Sequence, residues 1–306
     1  LCKIKKLVNF DSISKTKIRF VHEPLYGVGA GCFDQLLKGT NCEVETIHGD
    51  HDPSFGGISP EPVPRNYGPT SKYLRKKPAD FCLVTDGDAD RIGGMDGQGR
   101  ALTTHQIICL LLTHFIVNRK SKGRIVKALT TTSMVDKICD AYGMPMTVTG
   151  VGFKYICEEM LKGDVLMGFE ESGGIGFQGY VPERDGILAG MMVLEMLAFE
   201  RKSIKSMISE LNRKFGRHHY GRIDTPFPMN KRSLLMRTCA DDPPLRLLHS
   251  GVSEVHSFDG VKLVASDGSW LMWRGSGTEP VLRIYAEADS EIKVVNLLRQ
   301  GKRLAD

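Results

Sequence analysis

Hydrophobic spacing predicts a chain of alternating helices and strands. Leu1, Ile4, Leu7 and Val8 recur at helical spacing with lysines on the other face, as in a short surface helix. Lys17–His22 then predicts a strand, followed by the turn Gly27-Val28-Gly29-Ala30-Gly31 and a helix from Cys32 to Leu37. Such a turn can receive phosphates, but it lacks the dinucleotide fingerprint, and a tight strand-to-helix turn explains its glycines. Cys42–Ile47 alternates as a short strand, and the proline-rich segment from Asp50 to Pro69 predicts no regular structure. Phe81–Val84 is uniformly apolar, as in a strand buried on both faces, and 102–118 reads as a long apolar helix.

A similar plan then recurs. Ile125–Leu129, Met146–Val148 and Asp164–Phe169 predict strands; between them lie helices over 133–142, capped by Ser133 or a neighbouring threonine, and over 155–161. Each half sets a buried strand before an acidic glycine loop, the pattern of a diverged repeat. Gly186–Glu200 reads as a core helix and Lys202–Phe215 as an amphipathic one. From Tyr220 the chain becomes strand-rich, with a hairpin of Gly260–Val264 and Ser269–Trp273 about Asp267-Gly268, a strand Val281–Ala286 and a closing helix from Ser290. The expected fold class is α/β: two mixed α/β sheet domains of related plan, 1–121 and 122–216, then a smaller α+β C-terminal domain, 217–306.

Composition narrows the function classes. The 306 residues, 41% hydrophobic and 25% charged, suit two or three globular domains rather than a disordered chain. The net charge of +5 comes from dispersed basic residues, which suits small anionic substrates and argues against nucleic acid. Eight cysteines without a CxxC pair read as core thiols in a reducing cytoplasm. The longest apolar run, Ile107–Leu112, is too short to span a membrane. Beginning at Leu1, the chain reads as part of something longer.

The candidate chemistry centres on Asp86-Gly87-Asp88-Ala89-Asp90-Arg91, directly after the buried run. In extended backbone alternate side chains project the same way, so Asp86, Asp88 and Asp90 can converge on one point. Close carboxylates repel unless a cation sits among them, and this small set of hard oxygens suits Mg²⁺, with Arg91 beside it for a phosphate. An EF-hand loop also begins Asp-x-Asp-x-Asp, but its sixth and twelfth positions here hold Arg91 and Gly97. A solvated acidic turn is the plainer alternative, and the strand that aims the carboxylates speaks against it. Of the nine histidines none has metal spacing; His22 is expected in the core and His218-His219 in a solvated turn.

A second candidate is Arg274-Gly275-Ser276-Gly277-Thr278-Glu279-Pro280, between two strong strands. Its glycines let backbone N–H groups approach an anion, Ser276 and Thr278 add hydroxyls, and Arg274 can hold two phosphate oxygens. An ordinary glycine hairpin is the alternative.

These motifs together resemble the α-D-phosphohexomutases, the phosphoglucomutase and phosphomannomutase family. Asp86–Arg91 is similar to the family's metal loop, Ser59-Pro60-Glu61-Pro62 to the Asn-Pro-Glu-Pro element before it, and Arg274–Pro280 to its Arg-Pro-Ser-Gly-Thr-Glu-Pro phosphate loop, with Gly275 for proline and Gly277 retained. Phe169-Glu170-Glu171-Ser172-Gly173 resembles the sugar-recognition loop, which implies that Glu170 and Ser172 grip ring hydroxyls. Gly174 stands where many mannose- and glucosamine-type members carry histidine, so the loop looks nearer the phosphoglucomutase branch. Val151-Gly152-Phe153-Lys154 and Tyr180–Gly186 resemble ligand-side segments, placing Lys154 and Arg184 near the phosphosugar, with arginine where lysine is frequent; Arg283 matches an arginine of the following strand. The resemblance implies Mg²⁺ as cofactor, a hexose phosphate and its bisphosphate as ligands, Arg91 and Lys154 at the chemistry, and phosphoryl transfer from a phosphoserine. The Thr-Ala-Ser-His-Asn-Pro-like loop that would bear this serine does not occur, and the surroundings of Ser133 do not match it. The chain therefore reads as the second to fourth family domains, with the missing N-terminal domain as partner and a homo-oligomer possible. The alternatives are a phosphomannomutase or dual enzyme, a non-catalytic sugar-phosphate-binding protein, and a phosphatase with an aspartate nucleophile, whose Asp-x-Asp-x-Thr/Val element is missing.

Overall fold

A computed structural model describes residues 1–277 and 279–305. Two compact units emerge, one of Leu1–Thr131 with Lys137–Leu211 and one of Thr132–Asp136 with Asn212–Asp306.

In the first unit, helices α1 (Cys2–Leu7) and α2 (Phe10–Lys15) lead to β1 (Arg19–Glu23), α3 (Cys32–Leu36), β2 (Glu43–Thr46), α4 (Gly68–Lys76), β3 (Phe81–Thr85), β4 (Ile92–Asp96), β5 (Ala101–Leu102) and α5 (Thr104–Thr113), which ends in a π turn at His114–Asn118. The first sheet has the order β2-β1-β3-β4-β5, parallel through β3 and antiparallel beyond. Every residue of β3 is buried, as its apolar run requires. Next come β6 (Arg124–Ala128), α6 (Met134–Tyr142), whose first residues belong to the second unit, β7 (Met146–Thr149), α7 (Phe153–Met160), β8 (Val165–Phe169), β9 (Ile175–Phe177), α8 (Gly186–Glu200) and α9 (Ile204–Phe215). The second sheet, β7-β6-β8-β9, repeats the plan: parallel strands, then an antiparallel return. Gly186–Ala198 of α8 is buried all round, which explains its lack of a polar face. At Gly190 a Cβ would lie 2.4 Å from Leu83, so glycine sets the close approach of α8 to β3.

The second unit carries the antiparallel sheet β10-β15-β14-β13-β12-β11, built from β10 (His219–Pro226), β11 (Arg246–Leu247), β12 (Ser250–His256), β13 (Val261–Ala265), β14 (Trp270–Gly275) and β15 (Val281–Ala288). Helices α10 (Arg232–Asp241) and α11 (Glu291–Ala305) contribute Leu235, Leu297 and Leu298 to a core with Leu263, Leu271, Trp273 and Ile284. The fold class is the expected one.

Several details differ from expectation. His218 is not in a solvated turn: its side chain is 9% exposed, and its Nδ1 lies 3.2 Å from Glu287 Oε1, which also accepts from Ser133 N and Trp270 Nε1. Of the alternatives expected at the start of α6, Ser133 or a neighbouring threonine, it is Thr132 whose hydroxyl accepts from Met134 N. Cys82, Cys109, Cys139 and Cys239 are buried as expected, but Cys2 is exposed, and no disulfide forms among the described residues. The helices α4 and α10 and the strands β4, β9 and β12 appear where no element was expected, and Leu102, expected to open a helix, ends β5 instead. No described helix is long and apolar enough to cross a membrane.

Candidate active site

The acidic loop leaves β3 at Thr85 and returns as β4. Asp86, fully buried, closes it: its Oδ1 accepts from the backbone N–H groups of Asp90 and Arg91, each at 3.0 Å, and its Oδ2 from Arg91 Nε at 2.5 Å. Ala89 takes a left-handed conformation (φ 61°) at the bend. Glycine is required behind it, since a Cβ on Gly27 would lie 2.7 Å from Gly87 O. The Gly27–Gly31 turn, expected as a tight strand-to-helix turn, also packs against the loop through Gly27 and Gly29. One carboxylate oxygen each of Asp86, Asp88 and Asp90 lie within 4.8 Å of one another. Burial pushes the Asp86 carboxyl up to about 6, against the pull of Arg91. Asp90 Oδ1 is buried and accepts no hydrogen bond among the described residues. Converging hard oxygens, one of them buried without a hydrogen bond, fit a divalent cation. Below the loop, His22 Nε2 lies 3.0 Å from Thr85 Oγ1, and burial holds its imidazole down at about 3, confirming a core histidine.

The acidic loop of the second sheet lies against this one. Ile92 N donates to Gly173 O at 3.0 Å and Arg91 bridges Gly174, so the two returns, β4 and β9, are tied at their starts. Glu170 is buried, and its Oε1 accepts from Ser172 Oγ at 2.7 Å and Arg184 Nη1 at 2.9 Å, while no described donor meets its Oε2. Arg184 Nε also donates to Asp90 Oδ2 at 2.5 Å. Asp86, Asp88, Asp90, Arg91, Glu170, Ser172 and Arg184 thus lie together in space. Lys154 differs: it is exposed in the first turn of α7, its Nζ 4.7 Å from the Tyr155 ring centroid.

In the second unit, Arg274 and Arg283 are register partners on β14 and β15. Arg274 Nε meets Asp259 at 3.1 Å, whereas Arg283 Nε is buried without a hydrogen-bond partner and its carboxylate neighbours, Asp224 and Glu279, stand 3.9 Å away. Like charges directly opposite across a ladder repel, so an anion would stabilise this pair. Ser276 is buried, and its Oγ accepts from Glu279 N at 3.3 Å. A Cβ on Gly277 would meet nothing within 4 Å, so this backbone is open to a ligand. Thr278 lies outside the described residues.

Three family descriptions match this chain in order: phosphoglucomutase/phosphomannomutase alpha/beta/alpha domain II over residues 1–99, alpha/beta/alpha domain III over 103–215, and the C-terminal domain over 246–300. The chain belongs to the phosphoglucomutase/phosphomannomutase family. A phosphoglucomutase/phosphomannomutase of Thermococcus kodakarensis is 27% identical over 99% of this chain and 64% of its own length. A phosphoglucosamine/phosphogalactosamine mutase of Sulfurisphaera tokodaii is 28% identical over 98% of this chain and 64% of that protein. A crystal structure of a Thermus thermophilus protein assigned as a phosphomannomutase superposes with a TM-score of 0.85 at 32% identity, covering 98% of this chain and 64% of that one. The chain thus spans just under two thirds of these phosphohexomutases.

Sequence reasoning missed one residue that braces the backbone after β14. Arg232, at the start of α10, donates through Nη1 to Ser276 O and through Nη2 to Glu279 O. A Cβ on Gly275 would lie 2.8 Å from Arg232 Cδ, so glycine at this position makes room for the brace. No local signal pointed to it, because Arg232 is remote in sequence and no helix was expected there.

Proposed function

We propose that this chain is the metal-, sugar- and phosphate-binding part of a hexose-phosphate mutase of the phosphoglucomutase type, which moves a phosphoryl group between the 1- and 6-positions through a bisphosphate. The observation that carries this reading is the trio Asp86, Asp88 and Asp90 with a buried Oδ1 on Asp90 that accepts no hydrogen bond, set beside Glu170 and Ser172. Asp86, Asp88 and Asp90 would hold Mg²⁺, which offsets negative charge on phosphate oxygens during in-line transfer. Arg91 anchors Asp86 through Nε and offers its Nη side to the moving phosphoryl group. Glu170 accepts sugar hydroxyls on Oε2, and Ser172 holds its Oε1 in place. Arg274, Arg283, Ser276, Gly277 and Thr278 bind the phosphate that is not being transferred, and Lys154 approaches the phosphosugar from α7. The nucleophile is a phosphoserine outside these 306 residues, so the chain alone binds ligands weakly and turns over little.

Glucose phosphate is the favoured substrate because Gly174 replaces the histidine of mannose- and glucosamine-type loops; a dual phosphomannomutase/phosphoglucomutase is the second reading, supported by the name of the Thermococcus relative. The test assays the longer protein carrying these residues on glucose, mannose and glucosamine 1-phosphates, with the matching bisphosphate as activator and Mg²⁺ present. Fastest turnover of glucose 1-phosphate is expected; no mutase activity on any of the three overturns the reading.

A further inference from the structure

We propose that Arg184 is a positioning residue that couples the two acidic loops, holding Asp90 by its outer oxygen for the cation and Glu170 by one oxygen for the sugar. This rests on the cation and sugar reading given above. The two carboxylates come from different sheets, and one guanidinium reaches both: Nε to Asp90 Oδ2 at 2.5 Å and Nη1 to Glu170 Oε1 at 2.9 Å. The pairing leaves Asp90 Oδ1 without a hydrogen bond, with Arg91 Nε 3.5 Å away, and no described donor meets Glu170 Oε2. Those oxygens are the ones a cation and a sugar hydroxyl would need. Outer contacts that fix a ligand's orientation commonly matter about as much as the ligand itself.

The surroundings of Arg184 are built for it. Its guanidinium carbon lies 5.7 Å from the Phe153 ring centroid, and a Cβ on Gly174 would sit 2.7 Å from its Cδ and 3.4 Å from Glu170 Oε1. Gly174 has no left-handed φ, so what it supplies is space for the arginine stem rather than backbone freedom. The planar fork of arginine gives each carboxylate its own nitrogen at a fixed separation; a lysine's donors radiate from one nitrogen and cannot keep that spacing. A guanidinium committed to two protein carboxylates is not free to bind substrate phosphate, so Arg184 acts on substrate through Asp90 and Glu170.

The test is calorimetric titration of MgCl₂ into the chain and into Arg184→Lys and Gly174→Ala, with near-UV circular dichroism to confirm folding. Gly174→Ala keeps the positive charge and pushes the stem off its seat, which separates positioning from simple electrostatics. Nitrogen-15 spectra of the Arg184 Nε–H group give a second readout. About tenfold weaker Mg²⁺ binding is expected in both variants, with a protected Nε–H signal that persists in the wild type when Mg²⁺ is added and is lost in Gly174→Ala. Unchanged or tighter binding in both variants overturns the coupling and leaves the cation site standing. Absence of Mg²⁺ binding by the wild type overturns the cation reading and this proposal with it.

Discussion

In the loop after β8, Gly174 leaves room for the stem of Arg184; at the end of β14, Gly275 leaves the same kind of room for Arg232. The two arginines then spend their charge differently. Arg184 pairs with the carboxylates of Asp90 and Glu170, so its charge is largely neutralised within an acidic loop pair. Arg232 donates to the carbonyls of Ser276 and Glu279, which satisfies hydrogen bonds without cancelling charge. At the end of β14 Arg232 therefore keeps its charge, and Arg283 has only carboxylates 3.9 Å away, while Arg274 pairs with Asp259 at 3.1 Å. One steric device thus serves an arginine that pairs with carboxylates and another that braces carbonyls.

The comparison is broken most severely by removing the cross-strand arginines. Arg274→Met with Arg283→Met is expected to weaken binding of inorganic phosphate about 100-fold, at about tenfold per charge-assisted contact, and to leave Mg²⁺ affinity unchanged; calorimetry with each ion separates the two. Equal phosphate binding would show that the cross-strand arginines face no anion. Next in size, Arg232→Met removes two charge-assisted bonds to loop carbonyls and should cost about 2 kcal/mol in urea unfolding, whereas a change within experimental error would mean that the brace holds nothing.

A comparable effect concerns the base of the aspartate loop. Burial lowers the pKa of His22 from 6.5 to about 3, so between those values the unfolded chain binds a proton that the folded chain excludes. Stability contributed by this site is present above the unfolded value and is lost as pH falls towards the folded one, by about 2 kcal/mol between pH 7 and pH 5. Thermal unfolding across that range should show a shallower acid slope in His22→Gln than in the wild type. Parallel slopes would locate the acid sensitivity elsewhere.

The aspartate loop was legible because two signals coincide in it: an apolar run that becomes the buried β3, and carboxylates at every second position after it. The Asp267-Gly268 hairpin was legible for a similar reason, local turn chemistry between strong strands. The return strand β4 was not. Ile92-Gly93-Gly94-Met95-Asp96 reads as loop, yet its glycines are packing devices, since a Cβ on Gly93 would lie 2.0 Å from Tyr67 Oη. Helix α4 hid behind Gly68-Pro69, although proline is well tolerated in a first helical turn. His218 was misjudged because its neutral-looking dipeptide carries no trace of Glu287, a partner far along the chain. The roles of Arg184 and Arg232 escaped for that reason too: each depends on contacts between segments that only the fold brings together.

The central claim is that Asp86, Asp88 and Asp90 form one cation site, and Asp88 tests it most cleanly because it is the exposed member of the trio, whereas Asp86 and Asp90 also hold the loop together. Calorimetric titration of Mg²⁺ into the wild-type chain and Asp88→Asn is therefore the decisive measurement. One saturable site in the wild type, lost or weakened by at least about tenfold in the variant, is the predicted result; equal binding by the two proteins would contradict the account.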